Sequence, residues 1–187
     1  MAVRILKTWI LVVFIVTAFS GTIYWTVQQD YRQTTYDPQI QMAQDAAGAL
    51  SNGGKVKDYN TASKIDVSKS LAPFIVIYDV KGNPIASSGN LNGQDPTLPT
   101  GVLDFTKTNG VDRITWQPQD NTRIATVVDY YSSATQSGYV LAGRNMHETE
   151  SRIEKLLGEV AIGWAATVFG SLVLIGILEM IFPSKKK

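Results

Sequence analysis

FIVIYDVKGNPIASSG, residues 74–89, decides the fold of this 187-residue chain. Its opening run is β-branched, aromatic and apolar, as a buried strand requires. VKGNP then supplies a turn, and residues 85–88 return as the hairpin partner. The same pattern continues downstream: residues 111–117, a PQDN turn and residues 122–131 make a second hairpin, and residues 139–143 give a fifth strand. Between the hairpins, GNLNGQDPTLPTG (residues 89–101) is too rich in Gly, Pro and Asn for a regular element, whereas residues 102–108 suit a short helix.

Helical periodicity flanks the strands. YDPQIQMAQDAAGALSNGG sets Ile40, Ala43, Ala47 and Leu50 on one stripe; Asp37 can cap it, with Pro38 at the first helical position and Gly53-Gly54 at its end. Pro38 also marks a kink in a helix that rises out of the apolar segment before it. Residues 55–70 read as loop or short helix. At the other end Asn145 can cap a helix, with Glu148 three residues on. Its stripe of Met146, Ile153, Leu157 and Val160 runs directly into a second apolar segment. The expected fold is therefore α+β: five mostly antiparallel strands with long N- and C-terminal helices. One face of the sheet packs on the helices, the other lies under the insertion of residues 89–108, and a concave space between sheet and loops admits a small ligand.

Composition explains the ends. The 44% of hydrophobic residues are concentrated in residues 9–27 and 160–182. At about 1.5 Å per residue these segments reach roughly 28 and 34 Å, enough for a hydrocarbon core of about 30 Å. The first segment also fits a cleaved signal peptide, with a basic start and Ala18 and Ser20 as a small-x-small site. Its apolar character continues through Ile23, Tyr24, Trp25 and Val27, and the Tyr/Trp pair suits the membrane boundary of a retained anchor. Arg4 and Lys7 before the first span, and Lys185, Lys186 and Lys187 after the second, orient both termini to the cytoplasm. The expected organisation is residues 1–8 cytoplasmic, 9–27 transmembrane, 28–158 extracytoplasmic domain, 159–182 transmembrane and 183–187 a basic cytoplasmic tail that can also hold anionic lipid. In the second span, Gly163, Ala166 and Gly170 form a small-residue step that permits close helix approach. Glu179 sits where it can snorkel or meet the terminal lysines.

Chemistry is sparse. With no cysteine and His147 as the single histidine, neither a standard catalytic triad nor a Cys/His metal site can be built. No P-loop, GxSxG, HExxH or dinucleotide fingerprint is present, so no catalytic residue, cofactor or metal is assigned. Glu148 and Glu150 match a helix N-terminus. No basic patch with interleaved aromatics supports nucleic-acid binding. Ligand contact is assigned to Tyr78, Arg123, Asp129, Tyr131 and Arg144, because a guanidinium or phenol beside a sheet can orient an anionic ligand. Their competing role is a solvated edge or an internal salt bridge. Trp116 reads as a core plug more than a stacking platform.

Three stretches carry a family likeness: FIVIYDVKGNPIASSGNLNGQDPTLPTGVLDF, RITWQPQDNTRIATVV and GYVLAGRNMHETESRIEKL. With their D-x-x-G-x-x-x-A-S-S, P-x-L-P-x-G-V-L, T-W-Q-P and G-R-x-x-x-E-x-E patterns, residues 71–157 resemble the extracytoplasmic sensor domains of bacterial two-span histidine kinases, of the PAS-like or single Cache class. The resemblance implies detection of a small ligand or envelope condition and a signal passed through the membrane helices. Those kinases continue past their second span into a HAMP linker and catalytic core; here the sequence has only residues 183–187. The expectation is thus a non-enzymatic sensor that works as a homodimer or through a membrane signalling partner such as a histidine kinase. The alternative is a constitutive membrane-anchored scaffold or accessory subunit that binds no metabolite.

Overall fold

The structure, a computed structural model, describes residues 2–182; the lysine tail and its topology signal lie outside the described residues. The fold is α+β. In chain order it comprises α1 (Ala2–Thr34), α2 (Asp37–Ser51), a short 3-10 helix (Val56–Tyr59), β1 (Ile65–Asp66), β2 (Phe74–Asp79), β3 (Pro84–Ser87), β4 (Gly89–Asn90), α3 (Thr100–Asn109), β5 (Asp112–Gln119), β6 (Thr122–Ser132), β7 (Ser137–Asn145) and α4 (His147–Ile181). Two compact units result, one from α1 up to Tyr31 and α4 from Ser151, the other spanning Arg32–Glu150.

In the larger unit the main sheet has the order β3-β2-β7-β6-β5, and every neighbouring pair is antiparallel. The register pairs Tyr78 with Tyr139 and Val127 with Ala142, so alternate residues of each strand point to opposite faces. On one face Ile77, Val127, Tyr131, Val140 and Ala142 pack against Ala43, Ala46, Ala47 and Leu50 of α2. On the other, Phe74, Val76, Tyr78, Trp116, Ile124, Val128 and Leu141 pack with Leu103 of α3 and with Val67. With both faces of the sheet covered, β6 is buried at almost every position from Thr122 to Val128, polar Thr122 and Thr126 included. Each buried Leu or Ile here is worth about 1.5–3 kcal/mol relative to exposure.

Pro38 acts differently from the kink expected of it. A proline has no N–H to donate to the carbonyl four residues back, and its ring clashes with that carbonyl. The residue four back is Thr34, the last of α1. The chain turns there, with the Tyr36 N–H donating to the Gln33 carbonyl at 3.0 Å, and α2 starts afresh at Asp37. Asp37 is consequently inside the first turn; Tyr36 holds the cap position, without a side-chain cap bond. Asn145 does cap α4, its Oδ1 accepting from the His147 N–H at 2.8 Å. At the end of α3, Gly110 takes φ 88° and donates its N–H to the Thr106 carbonyl at 2.8 Å, a conformation that favours glycine.

The segment read as irregular, residues 89–101, contains more structure than its composition suggested. β4 pairs in parallel with β1 in a separate two-stranded sheet, Ile65 opposite Gly89 and Asp66 opposite Asn90. Leu91 and Gln94 then bridge to each other across a turn.

In the smaller unit α1 and α4 are two helices long and apolar enough to cross a membrane. They run antiparallel, since Arg4 meets Glu179, the Trp9 Nε1–H donates to the Val168 carbonyl at 3.0 Å, and the Trp164 Nε1–H donates to Thr17 Oγ1 at 2.9 Å. The Arg4–Glu179 pair is a two-pronged fork, so Glu179 finds its cation on the facing helix. The step Gly163, Ala166, Gly170 faces away from this seam: all three are exposed, and an added Cβ at either glycine meets nothing within 4 Å.

Candidate functional site

A groove of about 650 Å³ in the Arg32–Glu150 unit is walled by the loop from Leu91 to Pro99 on one side and by Trp116, Gln117 and Pro118 on the other. A Gly/Pro/Asn-rich loop of this kind has no ladder to fix it, and four sets of contacts do so instead. The β1–β4 pair anchors its start, with Asn90 Nδ2 also donating to the Lys64 carbonyl at 3.2 Å. Lys64 and Asp95 form an ion pair. Asn92, in the left-handed region at φ 53°, donates through Nδ2 to Gln119 Oε1 at 2.8 Å. The Tyr78 hydroxyl, rising from β2 beneath the loop, donates to the Pro96 carbonyl at 2.8 Å.

Electrostatics make the groove a neutral, hydrogen-bonding surface. Gln94, Thr97 and Gln117 are exposed there. Asp95, the carboxylate in the wall, is engaged by Lys64. Burial, and secondarily the Asp95 charge, push the Tyr78 phenol well above its ordinary value, so it remains a neutral donor. Trp116 is buried in the core cluster and also lines the groove, serving as the plug the sequence suggested and as floor. Amides, a hydroxyl, prolines and an indole floor suit an uncharged polar ligand better than an ion. Among the described residues no three acidic or histidine side chains gather closely enough to hold a metal ion.

The five side chains assigned from sequence do not form one site. Tyr78 lies on the groove's face of the sheet but is fully buried and meets the groove only through Pro96. Arg123, Asp129, Tyr131 and Arg144 alternate onto the opposite face, which α2 covers. There Arg123 donates to Glu150 Oε1 at 2.7 Å. Arg144 donates to the Leu71 carbonyl at 2.9 Å and to Glu148 Oε2 at 3.1 Å. Glu148 and Glu150, read as matching a helix dipole, are thus also ion-pair partners. Tyr131 is buried beneath α2, and burial raises its phenol pKa. Asp129 accepts from the Tyr130 N–H at 2.8 Å, and desolvation holds its carboxyl above the ordinary range. None of the five lines the groove.

The groove's own residues were missed. Asn92, Gln94 and Asp95 lie in a stretch with no periodicity, where only the density of Gly and Pro marked the place, and Gln117 stands at the end of a segment read only as a strand. Comparison with family models, curated proteins and solved structures finds no match for this chain.

Proposed function

We propose that this chain is a membrane-anchored sensory protein whose folded unit faces the extracytoplasmic side and takes a small, uncharged polar ligand in the groove between Pro96 and Trp116. The observation that carries the reading is the pairing of a pinned groove with flanking helices: the unit that holds the groove is joined at each end to a helix long and apolar enough to cross a membrane. The resemblance of residues 71–157 to PAS-like or single Cache sensor domains supports the same assignment. No chemistry is assigned to the groove itself, since its exposed side chains are amides and a hydroxyl. Occupancy is read out through α1 and α4 by a second copy or a membrane signalling partner.

Two experiments test this. The chain contains no cysteine, so Lys81→Cys, in the exposed β2–β3 turn, gives background-free labelling. A membrane-impermeant maleimide labels it in intact cells if the unit is extracytoplasmic, and only after lysis if it is not. For the ligand, the full-length protein in detergent is screened against neutral polar metabolites by thermal shift, since a ligand of the folded form raises the midpoint. Gln117→Ala abolishes the shift of any true groove ligand. The scaffold reading retains one specific support: the charges beside the groove and across the sheet are already paired, Lys64 with Asp95, Arg123 with Glu150 and Arg144 with Glu148. No response across the panel favours it.

A further inference from the structure

A second concavity of about 410 Å³ lies elsewhere on the Arg32–Glu150 unit, lined by Arg32, Gln33, Tyr36, Asp37 and Arg113. Two chain segments build it. Arg32 and Gln33 close α1 and Tyr36 opens α2, while Arg113 stands on edge strand β5. The Tyr36 and Thr115 hydroxyls are hydrogen-bonded at 2.7 Å. Thr115 lies two residues beyond Arg113 on the same strand face, so this bond holds Arg113 beside the α1–α2 turn.

Among the described residues neither Arg32 nor Arg113 has an ion-pair partner, in contrast to Arg123 and Arg144, which do. Both are exposed. Asp37 contributes the single carboxylate, leaving the concavity with one net positive charge. Two arginines lining one polar recess supply the kind of paired N–H donors that a phosphate group takes. Position adds a source for it. Arg32 follows Val27, the end of the apolar segment, by five residues of unbroken helix, or about 7.5 Å. A bilayer of about 40–45 Å with a hydrocarbon core of about 30 Å leaves a headgroup layer of that depth.

We propose that Arg32 and Arg113 form a phosphate-binding site, filled by the headgroup of an anionic phospholipid where the chain is inserted in a membrane. The lipid source rests on the membrane reading above; the phosphate chemistry does not. The test uses the full-length protein in nanodiscs of phosphatidylcholine with and without phosphatidylglycerol, and separately in neutral detergent with inorganic phosphate. Phosphatidylglycerol retained after exchange is read by native mass spectrometry, and phosphate binding by ³¹P line broadening. Arg113→Gln and Arg32→Gln each reduce retention about tenfold, while Lys107→Gln, an equal charge loss on α3, leaves it unchanged. Broadening of the phosphate line by the wild-type protein in detergent, lost in Arg113→Gln, supports the site with a free phosphate as its source even if the chain does not insert into the discs. Retention equal in Arg113→Gln and Lys107→Gln, together with no phosphate response from the wild type, overturns it.

Discussion

Tyr78→Phe isolates the hydrogen bond by which the sheet holds the groove wall. The ring remains, so its buried apolar surface is kept; what disappears is the donor to the Pro96 carbonyl at 2.8 Å. Both Tyr78 and Pro96 are buried, so the carbonyl loses that partner where water does not readily replace it. A neutral bond is worth about 1 kcal/mol net, and an orphaned buried acceptor raises the cost to about 2 kcal/mol. For a unit of this size that lowers the melting midpoint by about 8 °C. Because Lys64–Asp95 and Asn92–Gln119 still hold the loop, the loss concentrates there, and 2 kcal/mol corresponds to roughly thirtyfold faster amide exchange across residues 91–97. The assay is hydrogen exchange by mass spectrometry on the full-length protein, with a parallel thermal melt by circular dichroism. Tyr131→Phe is the control: its ring packs into the α2-covered face, but among the described residues its hydroxyl has no hydrogen bond to lose, so its removal changes stability by under about 0.5 kcal/mol. The two proteins also diverge in alkali. Because the folded-state pKa of Tyr78 is raised, the unfolded chain ionises first; the wild type loses stability as pH rises past the ordinary phenol value near 10, and the Tyr78→Phe variant loses less, keeping only the share of the other buried phenols. Equal behaviour of the two variants, with no change in exchange across residues 91–97, refutes the claim that Tyr78 supports the groove.

Gly138→Ala places a Cβ 2.1 Å from the Tyr78 carbonyl oxygen and 3.1 Å from the Tyr131 hydroxyl, so it costs about 3 kcal/mol in denaturant unfolding, whereas Gly101→Ala, with nothing within 4 Å, costs under about 1 kcal/mol; equal costs contradict the β2–β7 register. Gln39 is fully buried on the packed face of α2 and its Oε1 and Nε2 have no partner among the described residues, so Gln39→Met raises stability by about 1 kcal/mol; a lower melting point means the amide is satisfied in solution. Desolvation raises the Asp129 carboxyl, so the folded state holds its proton more tightly than the unfolded chain, and stability falls as pH rises from the ordinary carboxylate value through the folded one. Asp129→Asn therefore stabilises the protein at neutral pH and not at pH 3; an equal gain at both shows that ionisation is not the cause. The Asp79 carboxylate is held low, chiefly by the Asn83 side chain, so its contribution has the opposite sign and Asp79→Asn weakens the protein at neutral pH but not in strong acid.

The strands and helices were legible because burial imposes period. Residues 74–79 and 122–131 are read as strands from β-branched and aromatic residues between turn residues, and α2 from a stripe that does meet the sheet. Element ends were less legible, since they depend on single backbone bonds. Pro38 marked a boundary correctly, but whether it kinks one helix or divides two is set by Thr34, whose carbonyl Pro38 cannot serve. The parallel pairing of Ile65–Asp66 with Gly89–Asn90 left no trace, because two-residue strands have no period and their partners are separated by a whole hairpin.

Side-chain chemistry was harder to read for a related reason. Alternation shows that Tyr78 and Asp129 stand on some face of the sheet, not which layer covers it or who the neighbours are. The Arg144–Glu148 pair spans the junction of β7 and α4, where helical spacing does not apply, and Arg123 meets Glu150 only because β6 and the start of α4 are brought together by the fold. An arginine in a strand is thus ambiguous until its partner is known. The same criterion separates four arginines of the folded unit into two kinds: Arg123 and Arg144 neutralise carboxylates at the start of α4, while Arg32 and Arg113 have no ion-pair partner among the described residues and are the pair proposed to hold a phosphate. If that division is physical, removing Glu150 and removing Arg113 have opposite signatures. Glu150→Gln strands a half-buried Arg123 and lowers the melting point without altering phosphate binding. Arg113→Gln leaves the melting point unchanged in neutral detergent and removes the phosphate response.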